Sequence, residues 1–132
     1  MANIDLKNDI KNLNGLTPAV INTDTTTNGI EIDTLGFESV TFFIRSSSYT
    51  DGTYTPLVED TDTSGSGEVA VVDDFLIGTE ASAALSAAGI SKIGYVGKKR
   101  YVRLNIVSSA TTTGSTLDVV VVLGSPRHAI VA

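Results

Sequence analysis

The stretch Tyr95-Val96-Gly97-Lys98-Lys99-Arg100-Tyr101-Val102-Arg103-Leu104-Asn105-Ile106-Val107 decides the fold class. A glycine turn runs into a dense cationic cluster and then into a segment whose polar and apolar residues alternate. Side chains along a β-strand point to opposite faces in turn, so Val102, Leu104 and Ile106 share one side and Tyr101, Arg103, Asn105 and Val107 the other. One face reads as core and the other as charged surface, which is the pattern of a half-buried antiparallel strand.

The same grammar recurs along the chain. Within Glu38 to Arg45, Val40, Phe42 and Ile44 form a core face and Thr41, Phe43 and Arg45 lie opposite. Phe43 thus falls on the face meant for water, and a loop or a partner is expected to cover it. After Asp51-Gly52 the segment Thr53 to Val58 returns as a strand. Pro56 within it lacks an N–H to donate, which places that strand at an edge or a bend. Leu117 to Leu123 is apolar on both faces apart from Asp118, the mark of a central strand covered on both sides. Asn28-Gly29 predicts a hairpin turn in front of the alternating run Ile30-Glu31-Ile32-Asp33.

Helical grammar occurs in Thr79 to Gly89. Thr79 suits a cap, Glu80 suits the positive end of the helix dipole, and Ala81, Ala84, Leu85 and Ala88 form one stripe. Many short strands with turn chemistry between them predict an all-β fold, an antiparallel β-sandwich or jelly roll with one short α-helix. Residues 1–15 mix apolar and polar positions without a period and are read as an N-terminal arm; residues 16–132 are read as the β-sandwich domain.

A chain of 132 residues is long enough for one unaided core, and the absence of cysteine removes disulfides and thiolate metal sites. The start of the chain lacks the cationic and apolar pattern of a leader, and no apolar run approaches the ~20 residues of a membrane span, so no membrane partner is expected. A net charge of −6 argues against general nucleic-acid binding. The charge is segregated: Asp51, Glu59, Asp60, Asp62, Glu68, Asp73, Asp74 and Glu80 precede Lys92, Lys98, Lys99, Arg100 and Arg103. These surfaces either face each other, within a subunit or between subunits, or are separately solvated.

No catalytic constellation is found. Asp60-x-Asp62-x-Ser64-Gly65 opens like a calcium loop, but Val71 stands where the bidentate glutamate is required, so a solvated hairpin tip is the better reading. His128 has Ser125 and Arg127 nearby but no acid to orient it, and it reads as a surface or interface histidine. Asp73 and Asp74 are neighbours that would point to opposite faces of a strand, which does not suit a glycosidase pair. Lys98-Lys99-Arg100 with Tyr95 and Tyr101 forms a basic and aromatic cluster. It reads as a charged strand entry or an inter-subunit salt-bridge site for the acidic segment. The chain is expected to be no enzyme and to need no cofactor or metal.

Four segments carry a resemblance to a known family: Thr41 to Arg45, Asp51 to Glu59, Ile93 to Leu104, and Val121 to Arg127. Together they make the chain from about Thr41 onward resemble small virion structural proteins of tailed bacteriophages, of the capsid decoration or cement type. The resemblance implies a β-rich homotrimer, made in the host cytoplasm and then seated on the virion capsid surface against the major capsid protein. The interface residues expected on that reading are Phe43, Arg45, Lys98, Lys99, Arg100, Tyr101, Arg103, Arg127 and His128, with the arm and the apolar tail as further contact material. The alternative is a carbohydrate-binding or host-attachment module on the virion surface, which would present exposed aromatics from Tyr49, Tyr54, Tyr95 and Tyr101.

Overall fold

Alternating residues build nearly every element of the computed structural model, which describes residues 6–126. A short helix α1 (Leu6–Asp9) leads into β1 (Lys11–Ile21), β2 (Thr26–Thr27), β3 (Ile32–Asp33), β4 (Phe37–Ser47) and β5 (Thr53–Thr61). Then follow β6 (Val69–Ala70), a 3-10 turn at Asp73–Phe75, β7 (Leu76–Ile77), β8 (Gly89–Tyr95), β9 (Tyr101–Ser109) and β10 (Ser115–Pro126). Two antiparallel sheets pack as a sandwich. One runs β1-β10-β4-β8-β7, and the other runs β2-β9-β5-β6 with β3 also pairing with β9.

The core is the sum of the inward positions. Val102, Leu104 and Ile106 of β9 join Val40, Phe42 and Ile44 of β4 and Leu117, Val119, Val121 and Leu123 of β10 in one buried cluster. Burying each such side chain stabilises the fold by roughly 1.5–3 kcal/mol before chain entropy is counted. β10 lies between β1 and β4, inside its sheet as expected, but its outer face is not covered within the subunit, since Val120 is 36% exposed. Tyr54 is fully buried, and its hydroxyl donates to the carbonyl oxygens of Asp51 at 2.8 Å and Ile21 at 3.3 Å, which meets the need of a phenol taken out of water.

The Thr79 to Gly89 helix does not form. The chain makes a single turn, in which Ser82 N–H donates to Thr79 Oγ1 at 3.1 Å and Thr79 N–H to Ser82 Oγ at 3.2 Å. It then runs alongside β5: the backbones of Tyr54 and Leu85 exchange two hydrogen bonds of 2.8 Å. Glu80 Oε1 accepts the Val58 N–H at 2.9 Å, and the Ala83 carbonyl accepts the Ser91 hydroxyl at 2.7 Å. A helix of about ten residues is marginal alone. The unpaired edge of β5 offers donors that this segment satisfies better as a strap between the two sheets.

Two further expectations change. Asn28-Gly29 makes no hairpin: Gly29 N–H donates to Asn105 Oδ1 at 2.9 Å, and Ile30 N–H donates to the Gly15 carbonyl at 2.7 Å. A Cβ on Gly29 would collide with the Leu104 carbonyl oxygen, so the glycine serves a close backbone approach and only Ile32 and Asp33 of the following run pair as a strand. The arm is shorter than residues 1–15. Lys11 to Asn14 pair with Leu123 to Val120, and Gly15 lies buried against Val119 and Val121, because the apolar β10 needs a neighbour on that side. The first five residues, Arg127, His128 and the apolar tail 129–132 lie outside the described residues.

Candidate interaction surface

The outward residues of β10, β4 and β8 come together by register. Asp118 lies opposite Arg45 and Arg45 opposite Ile90; Val120 lies opposite Phe43 and Phe43 opposite Lys92. Arg45 Nε and Asp118 Oδ1 are 3.0 Å apart. Phe43, Arg45, Ile90, Asp118 and Val120 line a shallow cavity of about 320 Å³ on this face. Phe43 is half-buried, and Ile90 is 67% exposed. An apolar stripe flanked by one ion pair has the composition of the centre of a protein contact.

Three of the four charges of the basic cluster and its strand, Lys99, Arg100 and Arg103, are paired inside the subunit. Lys99 Nζ meets Asp62 Oδ2 at 3.0 Å, and Arg100 grips both carboxylate oxygens of Asp33 at 2.9 and 2.8 Å. Arg103 Nη2 meets Glu59 Oε1 at 2.8 Å and its Nη1 lies 3.7 Å from Glu68 Oε1. Arg100 also sits 5.1 Å from the centre of the Tyr101 ring. The hydrogen bond from Arg100 holds the Asp33 carboxyl below its ordinary range, and the same bond raises the guanidinium. Of the segregated charges, Arg103 therefore meets Glu59 and Glu68 and Lys99 meets Asp62, while Arg100 takes Asp33, which lies outside the acidic segment. Lys98 makes no ion pair among the described residues, and it lines a cavity of about 540 Å³ with Leu35, Phe37 and Arg100.

The residues of the calcium-like loop are turned to separate partners. Asp60 Oδ2 accepts the Tyr95 hydroxyl at 2.7 Å, and Asp62 holds Lys99. Ser64 Oγ and Gly65 N–H donate to the Glu31 carboxylate at 2.7 and 2.8 Å. Burial first, and then the bond to Asp60, push the Tyr95 phenol far above its usual value. No group of three or more potential ligands is placed to hold a metal among the described residues.

Of the expected interface residues, Phe43 and Arg45 share one outer face. Lys98, Lys99, Arg100, Tyr101 and Arg103 stand at the entry and along the outer side of β9. Ile90 lies just past the expected helix Thr79 to Gly89 and is not among the expected interface residues. The signal is the inward run Ser91, Ile93 and Tyr95, which leaves Ile90 and Lys92 on the opposite, outer face. No helix among the described residues is long and apolar enough to cross a membrane.

The fold is similar to that of a prophage-derived protein. The crystal structure of the SPBc2 prophage-derived protein YomS matches with a TM-score of 0.56 and 16% identity, covering 89% of this chain and 94% of that one. At that identity the likeness is one of fold. No family model matches the chain, and no curated protein matches it in sequence.

Proposed function

We propose that this chain is a non-enzymatic structural protein of a tailed-phage virion, a decoration or cement protein. It binds the major capsid protein shell as a homotrimer and stabilises the head. The observation that carries the reading is the apolar stripe of Phe43, Ile90 and Val120 on the outer face of the β1-β10-β4-β8-β7 sheet. A rigid two-sheet body with one such face suits a protein whose task is contact, and several contacts per assembly give avidity across a shell. The fold likeness to a prophage-derived protein supports the phage setting. On this reading the protein is made in the host cytoplasm and ends on the capsid surface.

The carbohydrate-binding alternative is less well supported, because it needs a platform of exposed tyrosines. Tyr54 and Tyr95 are buried, the Tyr49 hydroxyl is bonded to the Gly52 carbonyl at 2.6 Å, and Tyr101 lies under Arg100. The deciding experiment mixes the purified protein with emptied phage heads lacking it and, separately, with immobilised glycans. Co-sedimentation with heads and no retention on glycans is expected; retention on glycans alone would overturn the proposal.

A further inference from the structure

Every strand of the β1-β10-β4-β8-β7 sheet turns an apolar side chain to the outside. Val20 lies in the row of Thr116 and Ser47, Ile90 in the row of Arg45 and Asp118, Phe43 beside Val120, and Ile77 opposite Gly94. Val20, Ile77 and Ile90 are among the most exposed large apolar residues described. Charged residues occupy three strand positions on this face. Asp118 and Arg45 neutralise each other across 3.0 Å. Lys92 is exposed, stands in the row of Val120 and Phe43, and makes no ion pair among the described residues. Asp73 and Asp74, in the turn before β7, do not pair with it. A chain of net charge −6 thus presents, at the strand positions of this face, one uncompensated cation and no uncompensated acid.

A lysine set beside apolar surface constrains what can cover that surface. Lys92 is two residues along β8 from Ile90, about 7 Å, and one strand from Phe43, about 5 Å. A partner that brings only apolar side chains to Phe43 and Ile90 would leave the ammonium partly stripped of water and without a counter-charge, which opposes binding. A second copy packed face to face does not supply one. Asn14, Val120, Phe43 and Lys92 form one row, so a two-fold axis along the strands between β10 and β4 would match Asp118 with Arg45 but set Lys92 against Asn14. We propose that the partner seated on this face is a different protein, which sets an aspartate or glutamate carboxylate against Lys92 next to the apolar side chains it lays on Phe43, Ile90 and Val120. Lys92 stands at the rim, because β7 reaches only Gly94 and Tyr95 of β8, so its charge sets approach and register more than total affinity. This rests on the docking role proposed for the face and adds the chemistry of the partner.

The test measures the rate of association with emptied heads lacking the protein, at low and at high salt. Lys92→Glu is expected to slow association by about tenfold or more at low salt and to lose most of that deficit at high salt, where the field of an exposed charge is screened. Lys92→Arg is expected to stay close to wild type. Arg45→Gln with Asp118→Asn removes the pair without changing net charge and should stay close to wild type as well. A Lys92→Glu variant that associates as wild type does at low salt overturns the carboxylate; if Phe43→Glu with Ile90→Glu still fails to fill the heads, the docking face itself stands. Full association by both variants overturns the carboxylate and the docking face together, as do heads that take up no wild-type protein. A Lys92→Glu deficit that high salt leaves unchanged belongs to packing and overturns charge recognition. An equal deficit in Arg45→Gln with Asp118→Asn gives the role to the pair and takes it from Lys92. A mass by light scattering that falls on Lys92→Glu puts a second copy on the face and overturns the foreign partner.

Discussion

Arg103 of β9 and Glu59 of β5 lie directly opposite each other, and the guanidinium closes on one carboxylate oxygen with Nε at 2.9 Å and Nη2 at 2.8 Å. The same oxygen accepts the Asn105 amide at 2.6 Å, and Asn105 in turn holds the Gly29 N–H. The side chains of Arg103 and Glu59 are only 22% and 17% exposed, so this group sits closer to the interior than a surface pair. Removing the arginine leaves Glu59 and Glu68 facing each other without a counter-charge. Arg103→Ala is expected to lower unfolding stability by about 1–3 kcal/mol in urea denaturation, the range for hydrogen bonds to charged groups. An unchanged midpoint would show that the cluster contributes nothing.

Arg100 is a contrast within the same cationic run. It grips Asp33 with better geometry, but both side chains are nearly half exposed, and water screens the pair. Arg100→Ala is expected to destabilise the fold much less than Arg103→Ala at pH 7, because solvent screens the exposed pair. The sign of the pH dependence follows from the lowered Asp33 carboxyl. Its contribution is present above the ordinary value of 3.8 and is lost as pH falls through the lowered folded value. The difference between wild type and variant should shrink below about pH 4. A difference that grows on acidification would contradict the assignment.

The contrast also marks what could be read from the residues. Alternation placed Val102, Leu104 and Ile106 inside and made Leu117 to Leu123 a central strand, because burial on a sheet leaves a period of two in the sequence. Charge segregation left open whether the acidic and basic segments meet or are separately solvated, and it gave no sign of Asp33 and Glu31, which lie far away in sequence from Arg100 and Ser64. Thr79 to Gly89 misled because its helical stripe is a local signal, while the donors of Tyr54 and Val58 that recruit it belong to a distant strand edge. Gly29 looked like a turn residue, and its reason is a collision with another strand's backbone. The outer stripe was half legible: Phe43 was out of place on its own strand, but Ile90 joins it only through register.

Glu80 gives a second pH test of opposite sign. Burial raises its carboxyl above the ordinary 4.5, more than the bond from Val58 N–H lowers it. The folded chain therefore takes up this proton more readily than the unfolded one. Its contribution is complete below pH 4.5 and is lost as pH rises through the raised folded value. Glu80→Gln keeps an acceptor for Val58 and removes the titration, so the stability of wild type relative to this variant should increase as pH falls from 7 toward 4.5. Glu80→Ala removes the acceptor as well and is expected to be about 1–3 kcal/mol less stable than the Gln variant at any pH. Parallel pH profiles for wild type and the Gln variant would refute the raised carboxyl.

Gly29→Ala tests the close approach between the loop and β9. The added Cβ would meet the Leu104 carbonyl oxygen and lie 2.7 Å from the Gly15 carbonyl oxygen, both of them backbone atoms that cannot rotate away. Overpacking of this kind costs about 1–3 kcal/mol, and more where backbone must shift. A fall in melting temperature of several degrees is expected. Gly36→Ala is a useful control: nothing lies within 4 Å of its Cβ, and its φ of +93° makes any loss one of backbone strain alone. Equal losses at the two positions would remove the case for a steric role at Gly29.

The outer stripe can be tested without touching the core. Phe43 and Ile90 stand on adjacent strands of one face, and neither belongs to the buried cluster. Phe43→Glu with Ile90→Glu adds charge where a partner's apolar surface is expected to seat, and burying an unpaired carboxylate opposes binding strongly. Ile90 is exposed but Phe43 is half-buried, so unfolding stability should fall by about 0.5–3 kcal/mol, with the chain still folded. Occupancy on emptied heads should fall at least tenfold, which corresponds to about 1.4 kcal/mol of binding free energy. A folded double variant that fills the heads as wild type does would move the docking surface elsewhere, with the cavity beside Lys98, Leu35 and Phe37 the next place to look.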